Sequence, residues 1–547
     1  MKKQFFCITL CCAFSILAHA QDPAWIWANN NGGGANDFAY GSAFDKSGNV
    51  YYCGSFYSNN AKFGAATFTS SGLGDGFVCK YDPDGNFLWV KIIGGPETEA
   101  CQKVAVNDRG DVFVTGYSEG DFNADSVSFI SNGEADCFVA KYNSSGILQW
   151  IRRFGGEGDD YSYSLALDTN GRCVVTGVFE HSITIGNFVL TSQNDSLYDA
   201  FVAKFDKKGN VLWASQAGGS VFNSYVYPTD VTVDMAGNVF MTGTYTGPAS
   251  FGDHTLYAQE EVFIAKLSKS GVFKWAVDAG SRCYYAFIAT DAASNIYVAG
   301  SYGAYGYPSQ IGNFTLATNG PYMDVFLAKF NSTGIVQTIQ TGGSNKNDYA
   351  GGLAVDPSGN AWISGYVQGN TATFGSKSFA SKGKADVFVT SYDAAGNVKW
   401  LIQAAGNNED HAFDLAYDGN NYLAIAGTFK NKITLGSITL NSSSISSDAF
   451  VAKIGINGSM KFNAESVKAG MVIYPNPVMD FLKIESGISG PQYLRILTLD
   501  GRMMMEKNMV MTDANEGTLD ISLLPPGCYL LIVNSDGNQS VRKFMKQ

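Results

Sequence analysis

The segment FVAKFDKKGNVLW, residues 201–213, is an apolar run that meets Asp206-Lys207-Lys208-Gly209-Asn210 and returns as a second apolar run. In such a turn the Asp carboxylate accepts from the backbone and Gly takes the positive φ that reverses the chain, so the segment reads as a β-hairpin. A companion hairpin, AVDPSGNAWISG at 354–365, follows the same pattern. One hairpin of each kind recurs along the chain, and two hairpins make four strands. The runs are apolar at nearly every position, as strands are when sheets cover both of their faces.

Three columns hold the same phase. A Trp column runs through Trp27, Trp89, Trp150, Trp213, Trp275, Thr338, Trp400 and Phe462, at intervals of 61–63 residues. A Phe column comprises Phe77, Phe138, Phe201, Phe263, Phe326, Phe388 and Phe450, and a Gly column Gly54, Gly116, Gly177, Gly243, Gly300, Gly365 and Gly427. Such periodicity defines a repeat array. A four-stranded sheet repeated radially is a propeller blade, so the chain is expected to be all-β: a seven-bladed β-propeller with four-stranded blades and ~62-residue repeats. A parallel β-helix competes, but its rungs lack antiparallel hairpins. The Trp-bearing strand occurs once more than the others. Its first copy, Trp25-Ile26-Trp27, is predicted to complete the last blade beside residues 448–454 and remove the open edge. The weaker copy Gly458-Ser459-Met460-Lys461-Phe462 competes for that place.

The units resemble SBBP-type β-propeller repeats, most closely from Gly342-Gly343 through Asp348-Tyr349, Asp356, Gly359-Asn360 and Gly365. The resemblance covers roughly residues 25–462 and implies a fold and extracellular display, without a particular activity. Beyond a polar linker at 463–470 the pattern changes. Alternating apolar residues between turn signals read as a small β-sandwich over 471–547. This tail resembles the type A sorting domain of type IX secretion cargo. The matching residues are Tyr474, Pro475, Asn476, Pro477, Asp500-Gly501-Arg502, Leu524-Pro525-Pro526-Gly527, Lys543 and Lys546. The resemblance implies engagement of the type IX machinery, passage through the outer membrane, removal of the tail and attachment to surface lipopolysaccharide.

Residues 1–20 read as a signal peptide: Lys2 and Lys3, an apolar stretch from Phe5 to Leu17, and the small-x-small site Ala18-His19-Ala20. The propeller is then expected over 21–462, and the stretch is too short to span a membrane. No later transmembrane run occurs, so a secreted or outer-membrane surface location is expected. The net charge of −12 argues against nucleic acid as a partner. Seven cysteines remain after cleavage, at unrelated repeat positions. They suggest neither a zinc site nor a disulfide framework, although Cys53 and Cys79 could face each other.

The candidate ligand site lies where one unit passes to the next. There the chain carries Asp37-Phe38, Asp160-Tyr161, Asp348-Tyr349 and Asp410-His411, with Cys101, Tyr227 and Tyr284 at the second position elsewhere. Aromatic plates and carboxylates around a central pocket suit a carbohydrate or a protein segment. The same acids could instead cap the inner strands by holding loop amides. The Asp75, Asp136, Asp199, Glu261, Asp324, Asp386 and Asp448 column and the lysines that follow it read as ion pairs between blades or as strand-end solvation rather than as a binding surface. Asp-x-x-Gly-Asn invites calcium, but a five-residue turn is too short to supply six oxygens, so no metal or other cofactor is assigned. No catalytic residue is assigned either. His181, His254 and His411 fall at unrelated positions, and no nucleophile elbow, zinc helix or phosphate loop appears. The leading expectation is a surface binding or scaffold module. A polysaccharide hydrolase or lyase is the alternative, since a glycosidase needs only two carboxylates. A purely adhesive protein is the third reading.

Overall fold

The computed structural model describes residues 23–131, 133–193, 198–219, 221, 223–303, 307–318, 320–456, 472–485, 490–498, 503–511, 516–535 and 538–547. The signal peptide, the rival strand at 458–462, the linker, and Asp500-Gly501-Arg502 lie outside them. Among the described residues every regular element is a β-strand, and none is a helix long and apolar enough to cross a membrane. Two compact units divide between Gly458 and Ser459.

In the first unit each repeat folds as an antiparallel meander. Asp37–Phe44, Val50–Phe56, Asp75–Tyr81 and Phe87–Gly94 pair in that order. Asp160–Leu167, Cys173–Phe179, Asp199–Phe205 and Val211–Gly219 do the same. The turns follow the sequence logic. Asp206 Oδ1 accepts from the amides of Lys208 and Asn210 at 2.8 and 2.9 Å, and Gly209 takes φ 79°. Asp45 and Asp356 hold their turns in the same way. The first strand of each repeat packs beside the first strand of the next. The last, Asp410–Tyr417, adjoins Asp37–Phe44, so these strands form a closed ring.

Four strands per repeat proved too few. A short hairpin follows the second strand, as in Ala61–Phe63 with Ala66–Phe68 and Phe122–Ala124 with Val127–Phe129. It pairs with the outer strand of the preceding repeat: Asn123 lies opposite Gly94 and Thr373 opposite Gly343. Its turn adopts positive φ at Gly64, Asp125, Gly186, Gly252, Gly312, Gly375 and Gly436. Six of the seven hairpins thus join the neighbour's outer edge by a ladder or a single bridge, while Ser309–Ile311 with Phe314–Leu316 forms a sheet of its own.

Neighbouring repeats are also locked by the Trp column. The indole N–H of Trp89 donates to the Ser144 carbonyl at 3.3 Å, that of Trp150 to Lys207 at 2.9 Å, and that of Trp213 to Lys269 at 3.1 Å. Each indole lies against the glycine of that turn. A Cβ on Gly209 would stand 2.9 Å from the Trp150 ring, and one on Gly271 2.6 Å from Trp213. These glycines are therefore required twice, for their φ and for the close approach. Where Thr338 interrupts the column, Gln340 covers Gly396 instead. The lysines complete the lock from within. Lys204 pairs with Asp168 at 2.9 Å, and Lys80, 3.8 Å from Asp45, also donates to the Ser144 carbonyl of the next repeat.

The ring closes through its first strand. Ala24–Asn31 pairs antiparallel with Ser447–Gly455, Trp27 opposite Lys453. This adds the outermost strand to Asp410–Tyr417, Tyr422–Lys430 and Ser447–Gly455. Trp27, 5% exposed, donates to Pro83 in the first complete repeat at 3.0 Å. Cys53 and Cys79 are buried free thiols. They face different neighbours, Cys53 opposite Val78 and Cys79 opposite Tyr52.

The second unit holds two antiparallel sheets. One orders Val472–Tyr474, Phe481–Glu485 and Glu516–Asp520; the other orders Met503–Met511, Gly490–Thr498, Gly527–Ser535 and Asn538–Lys546. Both contribute to a single apolar cluster that includes Leu482, Leu494, Leu519, Leu531 and Phe544. Asn476 ties the start of this unit to its end: its side chain donates to the Lys543 carbonyl and accepts from the Met545 amide, at 3.1 and 2.9 Å. Lys546 pairs with Asp480 at 3.3 Å.

Truncating Trp27 to Ala should cost ~3–5 kcal/mol, the usual range for a buried large aromatic. Deleting residues 22–28 should lower the melting temperature further. Thermal unfolding followed by near-UV circular dichroism checks both, and an unchanged curve for the deletion would remove the strand from ring closure.

Candidate binding site at the ring centre

The carboxylates of the expected site turn inward. Asp37, Asp160, Asp348 and Asp410 open the innermost strands and are buried. Asp37 accepts from the Gly33 and Tyr57 amides at 2.8 and 2.9 Å and from the Ser58 hydroxyl at 2.7 Å. Asp160 accepts from Gly156 at 2.6 Å; Asp348 accepts from the Ser344 hydroxyl at 2.8 Å and from Gln368 at 3.2 Å. Glu99 serves the second repeat in the same way, accepting from Ser118 at 2.9 Å.

The other acidic column completes a clasp around the glycine pair that ends each outer strand. A Cβ on Gly32 would lie 2.6 Å from Asp448 and 2.9 Å from Asp37. One on Gly343 would lie 2.3 Å from Asp324 and 2.6 Å from Asp348. These acids hold loops, and none of them is among the residues that line the cavity described below.

The aromatic partners behave differently. Side chains alternate along a strand, so residues two apart share a face. Three of the rim aromatics are therefore followed by a second one on the same face: Phe38 by Tyr40, Tyr161 by Tyr163, His411 by Phe413. Phe38 stacks on Tyr40 at 6.0 Å, Tyr40 meets Phe413 at 6.2 Å, and Phe413 meets His411 at 5.8 Å. The arc continues through Tyr366, 4.0 Å from His411, to Tyr349 and Tyr285. A second arc runs from Tyr117 through Tyr161 and Tyr163 to Tyr227, whose hydroxyl meets that of Tyr163. Tyr284 reaches Glu260 at 3.3 Å. In the second repeat the strand register puts Ala100, not Cys101, level with Phe38, and Cys101 is buried.

Inside these arcs is a cavity of about 220 Å3. Its wall includes Tyr40, Tyr163, Tyr227, Tyr285 and Phe413, together with three charged residues that depart from the repeat: Lys103, Asp230 and Asp414. Lys103 donates to Asp414 across the position occupied by Gly41. Burial works against the Lys103 charge, but Asp414, with Asp230 adding to it, outweighs that and holds the ammonium above its usual range. Asp414 also accepts from the Ser42 amide and hydroxyl at 2.6 and 3.0 Å. Asp230 accepts from the Ser164 hydroxyl and from the Val231 and Ile288 amides, at 2.6, 3.0 and 2.9 Å. Burial pushes the Asp230 carboxyl up, against the pull of Lys103. It also raises the Tyr163 and Tyr227 phenols and lowers the His411 imidazole.

Of the residues expected at the site, Tyr227 lines the cavity, while Phe38, Tyr161, Tyr349 and His411 extend the arcs around it. Sequence reasoning missed Lys103, Asp230 and Asp414. Their signal was available, as charged residues in a strand column where other repeats carry Gly41, Ser164 or Gly352.

Residues 472–547 match the secretion system C-terminal sorting domain. The protein is therefore exported by type IX secretion, to the cell surface or beyond it, and its tail engages that machinery. The chain is 25% identical to an uncharacterized WD repeat-containing protein of Acanthamoeba polyphaga mimivirus, over 67% of this chain and 32% of that one. It is 27% identical to the regulatory protein FlaEY of Caulobacter vibrioides, over 25% of this chain and 15% of that one. It thus spans a third or less of the length of these relatives. Among solved structures it is similar to a protein of unknown function from Dyadobacter fermentans, with 9% identity, coverage of 79% and 99% of the two chains, and a TM-score of 0.38.

Burial raises the carboxyls of the clasp: Asp37 to about 6, Asp348 and Asp410 to about 7, Glu99 and Asp160 to about 8. Between the unfolded values near ~4 and these, the folded chain holds protons that the unfolded chain has lost. Their contribution to stability is full below pH ~4 and declines as pH rises through 6 to 8. The melting temperature should accordingly fall between pH 5 and 8, and Asp160→Asn should flatten that slope in a pH series of thermal melts. A second outcome concerns export. Deleting residues 472–547 should retain the protein inside the outer membrane, read by immunoblot of cell fractions and medium.

Proposed function

We propose that this chain is an exported binding protein: a seven-bladed β-propeller of SBBP repeat type, followed by a β-sandwich sorting tail that is removed after transit. Residues 1–20 direct the first membrane crossing, and surface lipopolysaccharide holds the product. The ligand, a carbohydrate or a protein segment, enters between the aromatic arcs that include Phe38, Tyr161, Tyr227, Tyr349 and His411, with Tyr284 at their margin. Asp37, Asp160, Asp348 and Asp410 shape the mouth from beneath by fixing its loops. The observation that carries a binding role over catalysis is the state of the cavity acids. Asp414 and Asp230 depart from the repeat, as catalytic carboxylates would, yet each accepts three hydrogen bonds from the strands around it. They are committed to joining neighbouring repeats. The buried phenols near them are too weakly acidic to serve as bases at neutral pH.

Glycan and peptide arrays probed with the full chain test this reading. Changing Tyr161, Tyr227, Tyr284 and Tyr349 together to Ala should weaken binding by at least about tenfold, since each aromatic contact contributes on the order of 0.5–1.5 kcal/mol. Unaltered binding would remove the arcs as the site. New reducing ends or unsaturated products on incubation with polysaccharides would overturn the non-catalytic reading.

A further inference from the structure

We infer that the central cavity takes one uncharged sugar ring, whose hydroxyl oxygens accept from Lys103 while the ring stacks on Tyr285. This rests on the binding reading above and names the ligand class for that site.

The first ground is an ammonium with unmet demand. Lys103 has three N–H donors. Among the described residues, its hydrogen-bond acceptor is Asp414. The side chain is 22% exposed and lines the cavity, so two donors remain for oxygens that enter it. Adjacent hydroxyl groups on one ring supply two such oxygens.

The second ground is charge. Lys103 is already matched by Asp414, and Asp230 lines the same cavity. The balance is zero with Asp230 protonated and −1 with it ionised. Neither offers net attraction to a carboxylate or phosphate, and the chain as a whole carries −12.

The third ground is the wall. In the first, third and seventh repeats the residue level with Tyr285 is small, Ala39, Ser162 or Ala412, and the aromatic, Tyr40, Tyr163 or Phe413, comes one residue later. In this repeat the order is reversed, Tyr285 then Ala286. The backbone at Tyr285 turns to φ 53°, Ala286 is buried, and Tyr285 stays 56% exposed in the cavity wall. A bulky residue in that region is strained, and such strain gathers at ligand sites. Tyr349 supports the ring edge-on at 5.7 Å. The cavity, about 220 Å3, falls below the ~300–1,000 Å3 of drug-sized sites, so it suits one ring at a chain end.

Isothermal titration of the full chain with neutral xylo- and gluco-oligosaccharides, with oligogalacturonides, and with a mixed hexapeptide pool tests the assignment. Neutral sugars should bind. Lys103→Met and Tyr285→Ala should each weaken them about tenfold, whereas Tyr285→Phe should not. Should Lys103→Met fail to fold, Lys103→Arg takes its place, with a loss still expected because the fork redirects the donors. Stronger binding of oligogalacturonides, or neutral-sugar binding unmoved by the folded lysine variant, overturns the inference. Peptide binding alone, abolished by the four-tyrosine variant, also overturns it while leaving the binding role intact. No response to any probe, with none altered by that variant, counts against both.

Discussion

An indole lying on a glycine, with its N–H directed at a carbonyl two residues before that glycine, is the contact from which the ring is built. It is repeated from Trp27 on Gly85 to Trp213 on Gly271. Each instance joins the outer strand of one repeat to the outer turn of the next, so it fixes both spacing and angle between sheets. Neither partner tolerates much change. A side chain on the glycine would strike the indole, and a smaller residue in place of the indole takes one of its donors from the turn carbonyl. The lent hairpins, the lysine crossings and the acid clasps reinforce the same junction at other radii.

That division of labour explains why the repeated residues say little about activity. Asp37 and its equivalents are spent on loop amides, and Lys80 and its equivalents on turns. What remains for a ligand is the inner stretch of these strands, where most repeats contribute side chains to a shared space. There the seven copies stop agreeing: glycine where a neighbour must cross, lysine and aspartate where charge is placed, tyrosine where a flat wall is needed.

The four-stranded meander was legible because Asp-x-x-Gly-Asn turns act locally and announce both ends of each strand. The closing strand was legible too, from its surplus copy around Trp27. The lent hairpin escaped notice because its strands are three or four residues long, as in Ala61–Phe63, too short for alternation to register. Its signal is the glycine of Phe63-Gly64 and Ile185-Gly186 at a fixed place in the repeat. The cavity escaped for another reason. Lys103 and Asp414 are 311 residues apart, and only a closed ring puts them side by side. The sequence leaves the carboxylates open between ligand groups and strand caps, because burial depends on how neighbouring repeats pack, which one repeat read alone does not reveal.

The pairing of Asn31 with Ala449 has a consequence for biogenesis. Strands that pair locally can form as the chain emerges, whereas Ala24–Asn31 must wait, unpartnered, until the last repeat is present. During that interval Trp25, Ile26 and Trp27 present an exposed apolar edge, the kind of surface that holdase chaperones bind. The sorting tail follows that strand in the chain, so the address for export becomes available only when the ring has the means to shut.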